Sequence, residues 1–511
     1  MADRDQELGS LVSSAGLVVI GALVGSVAIL IERIIIGRLL YVDAYGEVSI
    51  GIALLSIGVT LSLVGFSQGV PRYMARYDDG VNKRGTWITG LLIAGSVSLA
   101  IVVLVYPNAP SIAALFFEDV AAERMIRLFV LAIPLVVGLE IGVAAIRGLE
   151  NTRYKLLVQD LFYPVVRIGV LVGLLVIGFE LTAPAYAYAI AAGISLLVAH
   201  GFLHRLLPLV GRFRSRAIEL LSFSAPLVFA TIFASLLTKV DTFMLGYFRS
   251  SFEVGLYNAA YPLAQGMLLV LGAFGFLYLP LASRLDAEGE REEIDAIYQV
   301  TTKWIYIVTF PAFLAFVAFP ADVLEIFFGA DYRAGSLALI ILSVGFFTNA
   351  AYGRNRETLS ALGYPRYILL GNLTALVVNI ALNLLLIPLY GIAGAAVTSA
   401  ISFGLFNGLI YVILKRKFGI SPFSRWSART AILLPALLLP PSLLLSSLIS
   451  LSAVSLIGFL LVGGIAAVIV VCLTGCLQPD DSVAIELIEE MIGFRVPIIR
   501  RFIPARSGTR P

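Results

Sequence analysis

Charge is scarce in this chain. Only 14% of its 511 residues are Asp, Glu, Lys or Arg, while 59% are apolar and the mean hydropathy is +0.96. A soluble domain carries about 25% charged residues, so a water-soluble enzyme is excluded and the apolar surplus calls for lipid. Cysteine is nearly absent. Cys472 and Cys476 stand together at the end of the last apolar segment, read as packing residues, and reveal no redox compartment. Histidine is equally rare: His200 and His204 have an i, i+4 spacing but no acid or cysteine beside them, so no metal site is expected. No Gly-rich phosphate loop ending in Lys is present, which argues against ATP hydrolysis. No nucleophile stands near a base at a recognisable spacing. A net charge of +3 without interleaved basic and aromatic residues gives nucleic acid no footprint. No cofactor is expected. The opening Met1-Ala2-Asp3-Arg4-Asp5 lacks the basic start of a cleavable leader, so the first apolar stretch reads as a retained anchor.

What the chain has is long apolar runs. A spanning helix needs about 20 apolar residues. Segments of that kind fall near 11–37, 47–67, 85–106, 125–146, 157–178, 183–203, 219–246, 255–282, 303–321, 335–353, 367–388, 391–413, 428–447 and 454–474. The expected fold is therefore an all-α integral membrane protein with about fourteen transmembrane helices. Pro435, Pro440 and Pro441 make the final pair the weakest assignment. Loop charge gives an independent check, because Lys and Arg accumulate on the cytoplasmic side. The six loops after even-numbered spans hold 22 of them, from Arg72 to Arg429; the seven after odd-numbered spans hold only Arg38, Arg124, Arg249 and Arg333. Both termini are then expected in the cytoplasm of a plasma-membrane protein. All loops are too short to hide a catalytic domain. The tail reads as a short interfacial helix carrying Ile485, Ile488, Met491 and Ile492, with a basic end.

The chain also repeats. A shift of 209 residues superposes Gly37 on Gly246, Gly46 on Gly255, Pro71 on Pro280 and Gly80 on Gly289, and the acids Glu32 on Asp241 and Asp79 on Glu288. Further on the offset is 213, and Leu149-x3-Arg153-Tyr154-x-Leu156-Leu157 meets Leu362-x3-Arg366-Tyr367-x-Leu369-Leu370. Matched Gly and Pro mark backbone geometry rather than oiliness. Six spans separate the copies, so both insert the same way up, as in transporters built from parallel repeats. The organisation expected is a cytoplasmic N-terminus (1–10), an N-lobe (11–203, spans 1–6), a C-lobe (219–413, spans 7–12), a hairpin (428–474, spans 13–14) and a cytoplasmic amphipathic, basic tail (475–511).

The segment Gly37-Arg38-Leu39-Leu40-Tyr41-Val42-Asp43-Ala44-Tyr45-Gly46 resembles the one that follows the first helix in polysaccharide exporters and oligosaccharide flippases. Phe223-Ser224-Ala225-Pro226-Leu227, Asp241 with Gly255-Leu256-Tyr257, Ile326-Phe327-Phe328-Gly329-Ala330-Asp331-Tyr332, and the run from Leu382-Asn383 through Pro388 to Ala396 are similar to further family segments. The family is the multidrug/oligosaccharidyl-lipid/polysaccharide exporter superfamily, and the resemblance covers about residues 10–475. It implies movement of a lipid-linked oligosaccharide from the cytoplasmic to the outer leaflet. The implied partners are an isoprenoid phosphate or diphosphate carrier, membrane lipids and glycan-assembly enzymes. The resemblance also implies that the extra hairpin helps house the carrier's tail.

Ionisable groups at membrane depth are costly and usually line a cavity. Arg33, Arg167 and Lys239 are the candidates for contact with an anionic head group. Glu32, Arg33, Lys239 and Asp241 are candidates for an outer gate, with cross-lobe pairs Glu32–Lys239 and Arg33–Asp241. Glu140 is the expected neighbour of Arg167 on the antiparallel helix, and Asn372, Asn379 and Asn383 share one face of span 11 as polar support. Arg127 and Asp160 read as interfacial. Two rivals stand beside the flippase reading. One is an ion-coupled drug antiporter of the same superfamily, against which the mixed buried charge argues. The other is a membrane-embedded polymerase or glycosyltransferase, which would need longer and more basic outer loops.

Overall fold

The computed structural model describes residues 21, 23–117 and 121–482. The described residues contain helices and no strand. That is what lipid demands, since a helix satisfies its own backbone hydrogen bonds. In chain order the helices are α1 (23–39), α2 (Val42–Leu63), α3 (Phe66–Arg76), α4 (Gly80–Val105), α5 (Ala109–Phe116), α6 (Ala121–Gly148), α7 (Thr152–Lys155), a π-helical segment (Leu156–Phe162), α8 (Tyr163–Val176), α9 (Ala183–Leu206), α10 (Ala217–Phe248), α11 (Ser251–Gly266), α12 (Leu268–Glu288), α13 (Arg291–Ala318), α14 (Pro320–Phe328), α15 (Ser336–Tyr352), α16 (Asn355–Ala361), α17 (Pro365–Ile413), α18 (Arg425–Ser446) and α19 (Ala453–Leu473). Among the described residues, eleven helical stretches are long and apolar enough to cross a bilayer. The difference from the expected fourteen has visible causes. Segment 11–37 begins outside the described residues, 255–282 is divided where Gly266 ends α11, and one stretch of 54 residues covers two expected spans. At 1.5 Å per residue that stretch is about 80 Å long, far beyond a hydrocarbon core of about 30 Å. The expected interfacial helix around Ile485–Ile492 lies outside the described residues.

The long stretch is broken at Gly391, whose backbone (φ 54°, ψ −131°) is not helical. A side chain there would be strained, and its Cβ would overlap the carboxylate of Glu253. That carboxylate instead accepts from the Ile392 N–H at 3.2 Å, satisfying one of the donors that a new helix start leaves open.

The chain forms two compact units. One contains the residues up to Ala259 together with Ile380–Ala395; the other contains Ala260–Asn379 and the residues from Ala396 onward. In the first unit α6 is the central helix, packing on α2, α3, α4 and α9. Here too the starts of α2 and α11 meet. A Cβ on Gly46 would overlap the carbonyl oxygen of Ser251, and a Cβ on Gly255 would overlap that of Val42. The 209-residue shift carries Val42 onto Ser251 and Gly46 onto Gly255, so it exchanges the two contacts. The matched glycines thus pack on each other's segments, and only hydrogen fits at either position. The Tyr45 hydroxyl, fully buried beside them, donates to the Asn258 carbonyl at 2.9 Å.

In the second unit α18 and α19 both pack on α13. Capping boxes at Ser424/Ser427 and Ser452/Ser455 start the two hairpin helices. α18 runs through Pro435, Pro440 and Pro441 without a break in assignment. The hairpin is fixed at both ends. Leu451 N–H donates to Asp322 at 2.7 Å between α18 and α19. Beyond α19, Asp481 accepts from Lys303 Nζ at 2.5 Å, from the Trp304 indole at 3.0 Å and from Gln478 N–H at 2.7 Å, with both charged side chains fully buried. Cys472 and Cys476 are free thiols, and the Cys476 carbonyl accepts from Lys303 at 3.2 Å.

Two outcomes are expected. Gly46→Val and Gly255→Val each lower thermal stability by about 1–3 kcal/mol or more through overpacking. Because both strain the same approach of α2 to α11, the double variant falls short of the sum; additive losses in a detergent thermal-shift series would contradict the shared approach. Asp481→Ala strands the buried ammonium of Lys303 and costs about 3–5 kcal/mol. Asp481→Ala with Lys303→Met recovers most of that in the same measurement.

Candidate functional site

The candidate charges cluster in the first unit, and their partners sort them. Arg167 on α8 is buried, and its Nη2 meets Glu32 Oε2 of α1 at 2.6 Å, with Glu32 1% exposed. The guanidinium lies between two aromatic faces, 4.8 Å from the Tyr163 ring centroid and 4.4 Å from that of Tyr188 on α9. Stacking of this kind stabilises a desolvated guanidinium. Glu140, the neighbour expected from sequence, is not its partner. Glu140 on α6 faces Gln159, whose amide donates at 3.4 and 3.5 Å. Gln159 and Arg167 are eight residues apart, about 12 Å along a helix, so antiparallel α6 meets this strand of chain at the wrong height for the pair. Asp160 is buried and pairs with Lys155 at 2.5 Å. Arg127 pairs with Glu123 at 2.7 Å within one turn of α6.

Asp241 on α10 is also buried. It accepts from the Tyr257 hydroxyl of α11 and from the Asn383 amide of α17, each at 2.7 Å. Thr242, next in the chain, donates to the Asn258 side chain at 3.2 Å. Of the three asparagines on one face of α17, Asn383 therefore serves Asp241, in the first unit. In the second unit, Asn379 is fully buried and Asn372 accepts from Arg356 at 3.0 Å.

Arg33 and Lys239 are different. Both are half-buried. Arg33 lies beside the Tyr45 hydroxyl, and its positive charge acts on Lys239. Among the described residues neither has a carboxylate within ion-pair distance, because Glu32 is taken by Arg167. Two like charges held together on α1 and α10 at partial burial attract an anion. Arg33 offers a planar fork and Lys239 a point charge, which together suit a phosphate or diphosphate.

The sequence reading missed Tyr163, Tyr188 and Gln159, and named Tyr257 in a motif with Asp241 without making it a partner. Each is an aromatic or amide polar group amid aliphatic residues on a helix that also carries a charge, and that association was the available signal. His200 packs on Trp87 at 5.6 Å and bonds the Leu196 carbonyl, while His204 accepts from Leu209 N–H; neither faces the charged cluster's residues named above.

Comparison with known proteins places the chain. A family model described as "Polysaccharide biosynthesis protein" matches residues 11–286, and the MatE model matches 226–385. A Haloferax volcanii protein described as a low-salt glycan biosynthesis flippase is 26% identical over 231 residues, 45% of this chain and 49% of that protein. The chain thus spans about half the length of that relative. A Shigella flexneri protein described as an O-antigen transporter is 21% identical over 369 residues, 70% of this chain and 87% of its own. Among solved structures, the lipid II flippase MurJ in an inward closed conformation aligns with a TM-score of 0.70 at 12% identity, over 89% of this chain and 98% of that one. An inward-facing multidrug resistance MATE transporter aligns at 0.65 and 14%, over 76% and 93%. These structures share the fold. With more than half of its length matched by one family model, and with its helical fold in agreement, this multi-pass membrane protein belongs to the polysaccharide biosynthesis protein family.

Proposed function

We propose that this protein is a flippase, not an enzyme, that carries a lipid-linked oligosaccharide from the cytoplasmic to the outer leaflet by alternating access. The observation that carries this reading is the pair Arg33 and Lys239, two half-buried cations without a carboxylate partner among the described residues. They receive the phosphate or diphosphate that links glycan to isoprenoid, while the hydrocarbon tail stays in lipid. The relatives' descriptions as glycan flippase and O-antigen transporter support the same substrate class. An amphipathic cation, the cargo of a drug antiporter, would be repelled by these two groups. The Arg-rich loops face the cytoplasm of a plasma membrane, and enzymes that assemble the glycan supply the substrate on that side.

Glu32, Arg33, Lys239 and Asp241 remain the gate candidates, and the gate works by exchange of partners. In the state described here Glu32 is held by Arg167 and Asp241 by Tyr257 and Asn383. The pairs Glu32–Lys239 and Arg33–Asp241 belong to another state of the cycle. Arg167, enclosed by two tyrosines, positions Glu32 rather than touching the cargo.

The test is a deletion strain that traps lipid-linked glycan on the inner leaflet, complemented with variants. Hydrogen bonds to charged groups contribute about 1.5–3 kcal/mol each, so Arg33→Gln and Lys239→Gln should each slow flipping roughly 10- to 100-fold at normal protein level. Full complementation by the double variant would refute the anion site. For the supporting pair, Arg167→Ala and Glu32→Ala should each destabilise the purified protein by about 3–5 kcal/mol. A thermodynamic cycle should return a coupling of about 1 kcal/mol or more; no coupling would mean that the pair does not hold the site.

A further inference from the structure

The repeated motif Arg153-Tyr154-x-Leu156-Leu157 has no part in the cation site, yet it opens onto a groove. The groove has a volume of about 450 Å³ and is lined by Leu157, Leu161, Phe162, Val165, Val198 and Phe202. No charged side chain lines it. Leu157, Leu161 and Val165 are 40–57% exposed, so the groove is open on its outer side, while its floor rests on buried Val158 and Ala199. The wall is π-helical. Tyr163 N–H reaches back five residues to the Val158 carbonyl, and Pro164 has no N–H to offer in the ordinary register. Such π segments often mark functional sites because they displace side chains from the normal helical face. From Leu157 to Val165 the groove runs about 12 Å along the helix from the Arg-rich end.

That end is basic and aromatic. The Tyr154 ring stacks on Phe202 at 4.4 Å and 17°. The Arg205 guanidinium lies 5.6 Å from the Phe202 centroid, and both Arg205 and Arg153 are exposed. Lys155 is neutralised by Asp160, while Arg153 and Arg205 have no ion-pair partner among the described residues. The repeat keeps the same chemistry at its second copy, in the other unit. There Tyr367 stacks with Tyr364 at 6.0 Å, Arg366 lies 5.2 Å from Tyr367, and Lys417 lies 3.8 Å from Tyr364.

An apolar trough open to the bilayer does not hold water, and a cationic rim at the interface complements an anionic head group. We propose that the groove between the π-helical segment and α9 is a binding site for an anionic phospholipid of the bilayer, its phosphate held by Arg153 and Arg205 and one hydrocarbon chain lying along Leu157, Leu161 and Val165. The occupant is a resident lipid, distinct from the transported molecule.

Native mass spectrometry of the full-length protein, delipidated and titrated with phosphatidylglycerol or phosphatidylcholine, tests this. The wild type should retain one phosphatidylglycerol with roughly tenfold preference over phosphatidylcholine. Arg153→Gln with Arg205→Gln should erase most of that preference but still retain lipid. Val165→Trp, at an exposed position, should fill the trough and lower retention of both lipids; Leu161→Trp serves if the first variant fails to fold. Unchanged retention in the filled groove, or unchanged preference in the arginine variant, would overturn the site. Equal displacement by a long-chain isoprenyl phosphate at the same concentration would overturn the resident-lipid assignment in favour of the cargo's own tail.

Discussion

A carboxylate or guanidinium removed from water is destabilised by several kcal/mol unless a counter-charge and hydrogen bonds take it up. In this protein that constraint determines which helices must be held together. Glu32 ties α1 to α8 through Arg167, and two tyrosine rings flank the guanidinium. Asp241 ties α10 to α11 and α17 through neutral donors. Asp481 ties the end of the hairpin to α13 through Lys303. These ties bury polar groups and give each a partner within the fold. Arg33 and Lys239 stand apart because no such tie absorbs them among the described residues, which is why they carry the functional reading.

The glycine pair acts on the backbone rather than on charge. Two helices approach until carbonyl oxygen meets Cα, and a repeat copied into one chain makes the contact twice. A contact that two copies of one segment make with each other is fixed by both copies together, so a change in either is felt at the same place. That reciprocity accounts for the matched pair Gly46 and Gly255, and not for Gly80 and Gly289, which have different surroundings.

Much of this was legible beforehand. Long apolar runs gave most helix positions to within a few residues, because the thickness of a bilayer imposes a strong, local pattern, but α13 starts at Arg291, twelve residues before its expected span, and the expected span 255–282 is two helices. The matched glycines were legible as a repeat, though their mutual contact was not. Tertiary pairing was less accessible. Glu140 looked like the partner of Arg167 because it lies on the preceding antiparallel helix, but relative height, set by the loop between them, put Gln159 opposite it instead. Lys303 stands at the edge of an expected span, and nothing local announces a partner 178 residues away. The choice of residue type therefore revealed where charge was retained, and only the fold revealed which opposite charge answered it.

The break at Gly391 has a consequence of its own. A helix that stops and restarts within the apolar layer exposes amide donors that lipid cannot satisfy, and here the carboxylate of Glu253, on α11, meets one of them. The bend is thus held from outside, by a side chain whose own charge is moderated by Arg249 one turn away. Without that carboxylate a donor at the restart of the helix would be left unanswered in lipid, so the bend at Gly391 rests on an acid of another helix as well as on the glycine itself.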